Sequence, residues 1–390
     1  MFGTARTVWY NPIAPPPRDD FVNVMQETAI ALDPARLRSK LLAEVRAKRW
    51  FIAIIAVYSL AGTIVVRSSA EPRSLSYGLY LLEVFKLTGL FLIFWSLLNP
   101  LYVMVFVRPK HLTRHLLTEL REKWATSDRL FRGLLTLVLL PPFLSIYTSL
   151  KPLIPSINPY SWDVTFLEWD RALHGNVDPW VLLQPILGHP PVTYGIAFLY
   201  QGWSLVMYAV LLWQAFTVHA PRLRMQFLIT YLLLWSVLGS LLAIVFSSGG
   251  PCYFERLTGL ADPYALLFEY LRAVDVQYRI PALEVQQGLW DLYTAEGVAA
   301  GAGISAMPSM HVATSVLFAL VAWRRNRRLG VVLWAFAAVI MVGSVHLGWH
   351  YAVDGYLSIV LTVLLWRVVG HFVARDPTLG PETPSPAAVT

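Results

Sequence analysis

About eight stretches of the chain are apolar for the length that a helix needs to cross a bilayer. They run near Trp50–Val66, Tyr77–Val107, Leu130–Leu150, Val192–Val218, Gln226–Phe246, Ser309–Trp323, Leu329–Val345 and Ala352–Val373. The pattern predicts an all-α, polytopic membrane helix bundle. The second run carries Pro100 and the third carries the pair Pro141-Pro142, where a bend is expected. The sixth run is short and leans on its flanks.

The polar residues between these runs are sorted by charge. Arg46, Lys48 and Arg49 precede the first run, and Arg108, Lys110 and Arg114 follow the second. Arg222 and Arg224 lie between the fourth and fifth. Arg324, Arg325, Arg327 and Arg328 separate the sixth and seventh, and Arg375 follows the last. Basic residues mark the cytoplasmic side. The alternation therefore predicts both termini in the cytoplasm, with the connections around 151–180, 249–303 and 346–351 outside. Two segments, from Asp33 to Arg49 and from Pro109 to Asp128, space apolar and basic residues as helices lying on the membrane surface would. The long connection Gly249–Gly303, with an amphipathic stretch around Ala265–Val274, reads as a cap rather than a structureless loop.

The resulting division is a cytoplasmic segment at 1–49, preceded by a Pro-rich leader, and an accessory hairpin with its surface helix at 50–128. A six-helix core with its cap follows at 129–373, and a Pro-rich cytoplasmic tail at 374–390. Composition agrees: 56% of residues are hydrophobic and 14% charged, where a soluble domain carries about a quarter charged. The net charge of +7 belongs to the cytoplasmic clusters and gives no reason to expect nucleic acid. Cys252 is the single cysteine, so an intrachain disulfide is excluded.

Two clusters of chemical residues stand at the edges of the last three runs. The first is A-M-P-S-M-H-V-A-T, Ala306–Thr314; the second is S-V-H-L-G-W-H-Y-A-V-D-G-Y, Ser344–Tyr356. Ionisable residues this close to a membrane are costly without a partner or a task. His350 and Asp354 are spaced to share one face of a helix, where a carboxylate fixes the imidazole tautomer. The predicted topology puts His311, His350, Lys151 and G-P-C-Y-F-E-R (Gly250–Arg256) on one external side.

P-S-M-H resembles the P-S-G-H motif of the type 2 phosphatidic acid phosphatase superfamily, and H-Y-A-V-D matches the H-x-x-x-D end of its last motif. The spelling of both, with D-G-Y following, is similar to the branch of the inositolphosphotransferases. The resemblance implies a phosphatase-like core and transfer through a phosphohistidine. His350 would be the nucleophile, Asp354 its partner, and His311 the acid that protonates the leaving alkoxide. Ser309 and the amides after Pro308, at a helix start, would bind phosphate. No cofactor and no metal is implied. The partners are lipid substrates in the bilayer, with a lipid alcohol or water as acceptor.

The chain departs from the superfamily's pattern at the phosphate clamp. Ser344 stands where the motif has arginine, and K-P-L-I-P-S-I-N-P from Lys151 has Asn158 where arginine is expected. Arg256 and Lys151 are the candidate replacement cations, with Tyr253 as a further phosphate donor and His346 as an auxiliary group one turn before His350. Asp163 and Asp170 are read as architectural. Two rival readings stay open. His346, His350 and Asp354 with His311 also form a metal-ligand pattern, implying a metal-dependent membrane hydrolase. A transporter or scaffold with a degenerate site is the other.

Overall fold

The computed structural model describes residues 34–69, 75, 77–120, 129–297, 299 and 301–380. The Pro-rich leader, the end of the second surface helix (121–128) and the Pro-rich tail from 381 lie outside these residues. The described residues are helical, without strands. The chain divides into two units, Met1–Ala47 and Lys48–Thr390. In the first, the basic and apolar segment after Asp33 forms helix α1, Pro34–Ala47.

In the second unit the long apolar runs become helices with bounds close to those predicted. They are α2 (Arg49–Ser68), α3 (Leu81–Tyr102, continued by a π turn to Val107), the short α4 (Leu112–Leu120) and α5 (Arg129–Leu150). Helix α5 is continuous through Pro141 and Pro142. Two short helices of the next connection follow, α6 (Asp163–Leu173) and α7 (Pro179–Leu187). The fourth run is broken at Gly202 into α8 (Pro190–Gln201) and α9 (Trp203–Phe216). The fifth starts as α10 (Pro221–Leu233) and widens into a π-helical stretch, Leu234–Leu242. Three of these helices, α7, α8 and α10, open on proline at the first turn, where its missing N–H costs nothing.

The cap between 249 and 303 is helical too. It holds α11 (Ala265–Tyr278), at the predicted amphipathic stretch, and α12 (Pro281–Thr294). The chain closes with α13 (Met310–Arg325), α14 (Arg327–His346) and α15 (Ala352–Ala374). Asn326 makes the break inside the arginine cluster: its Oδ1 accepts from the Leu329 amide at 3.1 Å and caps α14.

Among the described residues seven helices are long and apolar enough to cross a membrane. The expected eighth, α13, has 16 residues and falls short of that length. Its first turn carries His311 and its last carries Arg324 and Arg325, so only its middle is apolar. Helix α13 is instead the centre of the bundle: it packs on α14, α15, α9, α10 and the π-helical stretch. Most of its side chains are buried, including Ala313, Thr314, Ser315, Ala319 and Ala322. Small residues of this kind let neighbouring backbones approach closely. Helix α3 lies at the other extreme, with almost none of its apolar surface covered.

Candidate active site

Each candidate residue is set by its own short stretch of backbone. Ser309 ends the loop before α13 and caps it, its Oγ accepting from the Val312 amide at 3.4 Å. That places His311 in the first helical turn. Its ring is stacked near Tyr200, with centroids 4.8 Å apart and planes at 25°. Trp203 closes on it from the other side of the Gly202 break, at 4.3 Å.

His350 sits in the turn between α14 and α15. The turn needs Gly348, whose φ is +70° and where a Cβ would meet the Phe268 ring at 2.5 Å. The Trp349 and His350 amides both donate to the Ser344 carbonyl, at 2.9 and 3.1 Å. His350 Nδ1 lies 3.2 Å from Asp354 Oδ2, and the Tyr351 amide donates to the same oxygen at 3.1 Å. Asp354 is fully buried, and the Ser309 amide donates to its carbonyl at 3.4 Å. The two sequence clusters therefore join through backbone as well as across the cavity.

Asp163 and Asp170 fasten this assembly from α6. The Asp163 carboxylate accepts from the Gly249 and Gly250 amides, at 3.0 and 2.8 Å, and from the Tyr351 hydroxyl at 2.9 Å. Asp170 accepts from the Ala352 and Val353 amides at 2.8 and 2.9 Å. An anion at the start of α15 suits the unpaired amides there. Burial pushes both carboxyls upward, Asp170 to about 7, against the lowering effect of those amides. The architectural reading of this pair thus has definite atoms behind it.

His311 and His350 face one another across a cavity of about 510 Å³, their ring centroids 6.0 Å apart. Lys151, just beyond α5, reaches the same cavity. Its stem is covered by Gly303, whose φ is +94° and where a Cβ would come within 2.9 Å of Lys151 Cγ. Burial pushes His350 down to about 3, with the Ala306 carbonyl acting against that and the Lys151 charge adding to it. His350 is neutral near pH 7. With Nδ1–H given to Asp354, the lone pair on Nε2 is the one left to act as base or nucleophile.

The other sequence candidates are placed differently. The Ser309 side chain is buried and used in its cap. Arg256 lines a separate cavity of about 360 Å³, with Nη2 at 3.2 Å from Gln287 Oε1 and its guanidinium 5.0 Å from the Trp290 ring. It lies on the short helix Phe254–Thr258 and is not among the residues lining the histidine cavity. Tyr253 lines both cavities, but its hydroxyl donates to the Gln286 carbonyl at 2.8 Å. His346 is turned from His350 toward α8, with Nε2 2.9 Å from Thr193 Oγ1, which also meets the Tyr270 hydroxyl at 2.7 Å. Among the described residues no three His, Cys, Asp or Glu side chains are grouped as a metal site. The ligand set proposed for a metal hydrolase is therefore not assembled.

Sequence reasoning missed the aromatic walls Tyr200 and Trp203, and Tyr80, which lines the cavity from the start of α3. The Tyr80 hydroxyl accepts from the Gly301 amide at 3.1 Å and lies 2.9 Å from Thr148 Oγ1. The one available signal was Gly202 flanked by Gln201 and Trp203, a break in the middle of a membrane-length run.

A helical membrane bundle with two histidines facing across one cavity, one of them paired with a buried carboxylate, defines an acid–base or nucleophilic enzyme class. The family profile described as PAP2 superfamily matches residues 164–368, 205 of the 390 residues, and spans His311, His350 and Asp354. The chain belongs to the PAP2 superfamily. Membership implies an enzyme of phosphatase type acting on lipid phosphates. No curated protein matches the chain, and no solved structure does. Lys151 and Tyr80 lie outside the matched stretch.

Proposed function

We propose that the protein is an integral-membrane lipid phosphotransferase working through a phosphohistidine on His350. The lone pair of His350 Nε2 attacks phosphorus while the bond from phosphorus to the donor's alkoxide breaks. His311 gives that alkoxide its proton, and Asp354 holds Nδ1–H and offsets the imidazolium that forms. In the second half His311 takes the proton of an acceptor hydroxyl, whose oxygen attacks phosphorus as the P–N bond breaks. Each half has a positioned acid or base. Lys151 and the start of α13 offset the phosphoryl charge. The similarity of P-S-M-H and H-Y-A-V-D-G-Y to the inositolphosphotransferase branch supports a lipid alcohol as acceptor and phosphoinositol as one group that could be carried. Water in the acceptor's place would make the same residues a lipid phosphatase.

The observation that carries this reading is the His350–Asp354 pair facing His311 across a cavity that also admits Lys151. Rapid quenching in alkaline detergent with a labelled activated donor tests it. Wild type and His311→Ala should both yield an acid-labile phosphoenzyme, since a good leaving group needs little protonation. His350→Ala should yield none. Labelling of His350→Ala without labelling of His311→Ala would exchange the two roles. An active wild type that never labels would end the covalent reading.

A further inference from the structure

The second cavity, of about 360 Å³, has neither catalytic histidine in its wall and takes no part in the mechanism above. It lies in the cap, where the short helix Phe254–Thr258, α11 and α12 meet. Small-molecule sites begin at about this size, roughly 300 Å³. Its wall is charged in both senses. Arg256 and Arg272 supply two guanidinium groups, and Glu255 and Asp262 two carboxyl groups. Among the described residues none of the four forms an ion pair with another. Arg256 gives one bond to Gln287, and Asp262 Oδ1 accepts from the Tyr264 amide at 2.8 Å. Burial raises the Asp262 carboxyl, the Glu255 charge adds to this, and the Arg272 charge acts against it.

An isolated anion would meet two carboxylates here, and an isolated cation two guanidinium groups. A ligand that carries both charges side by side can engage each pair at once. Guanidinium forks match phosphate oxygens, and such charge-assisted bonds are the strong ones. A neutral polyol would forgo them. Leu260 and Leu266 stand exposed beside this wall in sequence, as apolar groups facing a lipid surface would.

The inner wall of the cavity is the back of the turn that carries His350. Cys252, Phe268 and Gln286 all line it. The Cys252 amide donates to the Gly348 carbonyl at 3.0 Å. Gln286 Nε2 donates to the Leu347 carbonyl, also at 3.0 Å. The Phe268 ring fills the space beside Gly348 that a Cβ would need. Three separate segments of the cap thus hold one turn, and the charges at the mouth stand on the same segments. A ligand that joins those segments favours the arrangement in which the turn is held, because it binds that arrangement better.

We propose that this cavity binds a zwitterionic phospho-head group, a phosphate joined to an ammonium, and that its occupancy braces the turn of His350 from behind. Arg256 and Arg272 take the phosphate oxygens; Glu255 and Asp262 take the ammonium. No bond is made or broken there. A lipid of the surrounding leaflet and a free phosphoester of an amino alcohol offer the same chemistry. The site is independent of the phosphohistidine reading.

The test uses the full-length purified protein in maltoside micelles, with phosphocholine as the probe. Calorimetry reads binding, and amide hydrogen exchange over residues 344–351 reads the turn. Phosphocholine should bind saturably, with choline and inorganic phosphate each weaker by at least about tenfold. Arg272→Gln and Glu255→Gln change exposed residues outside the histidine cavity. Each should weaken phosphocholine binding by about tenfold or more. Bound phosphocholine should slow exchange of the turn by at least about threefold in wild type and leave it unchanged in both variants. Nanodiscs of phosphatidylcholine should slow it relative to nanodiscs of phosphatidylglycerol when a lipid supplies the head group. Slowing by free phosphocholine alone supports the site and assigns it a soluble ligand. No binding to folded wild type overturns the proposal, as does equal binding of myo-inositol that neither variant weakens. Binding that leaves exchange of the turn unchanged overturns the brace. Neither readout uses turnover, so failure of the phosphohistidine reading would leave these outcomes as they stand.

Discussion

Asp354 is the residue on which two structural demands meet. Its Oδ2 takes both the His350 ring and the Tyr351 amide, at 3.2 and 3.1 Å, and its side chain is fully buried. The carboxylate thus fixes the imidazole tautomer and the first turn of α15 with a single oxygen. An asparagine fills the same volume but can present its amide N–H₂ to His350. The ring then turns its N–H toward the cavity and its lone pair toward Asn, the wrong way for attack on phosphorus. Asp354→Asn is expected to keep the fold while lowering turnover by about three to four orders of magnitude, the scale known for a histidine held in the wrong tautomer. Thermal unfolding and single-turnover labelling measured together check this. Near-normal turnover in a folded variant would show that the pair is structural only.

At the scale of elements, the site is held by short connections rather than by the long helices. Helix α6 is outside the membrane-length set, yet Asp170 on it accepts from both amides that open α15. Its two oxygens serve two separate N–H groups. Asparagine offers one acceptor and sets an N–H₂ against the second amide, leaving a buried donor unpaired at a cost of about 1–3 kcal/mol. Asp170→Asn should therefore lower the unfolding temperature and reduce turnover, because the turn it releases carries His350 and Asp354. Unchanged values of both would remove α6 from the description of the site. The long helices were legible from hydropathy because their only requirement is a sustained apolar run. The histidine–aspartate pair was legible because its spacing implies contact. The break at Gly202, the π-helical stretch at Leu234–Leu242 and α12 were not, since tertiary packing decides them and their sequences stay apolar or mixed throughout. The surroundings of Arg256 were not legible either: its sequence position follows the fifth run, while its contacts to Gln287 and Trp290 come from the packing of the cap.

At the scale of the whole molecule, the ends of the bundle constrain its path through the membrane. Arg49, at the start of α2, pairs with Asp376, just after α15, at 2.9 Å. Two ends in contact lie on one face, which requires an even number of crossings between them. The seven long helices give an odd number, so α13 has to be the remaining crossing despite its 16 residues. Its central position in the bundle lets it do so without meeting lipid along its length. Following the chain from Arg49, the ends that carry Lys151, Gly249, His311 and His350 then fall together on the opposite face. The arginine clusters at 324–328 fall on the same face as Arg49, and basic residues favour the cytoplasm. The cavity is therefore expected to open to the extracytoplasmic side. In a Cys252→Ser background, a cysteine placed at Gly301 should react with an impermeant thiol reagent from outside intact cells. One placed at Asn326 should react only after the cytoplasmic face is exposed. Reversed accessibility would overturn the orientation. Labelling of both from one side would mean that α13 does not cross, and would break the parity that the Arg49–Asp376 pair demands.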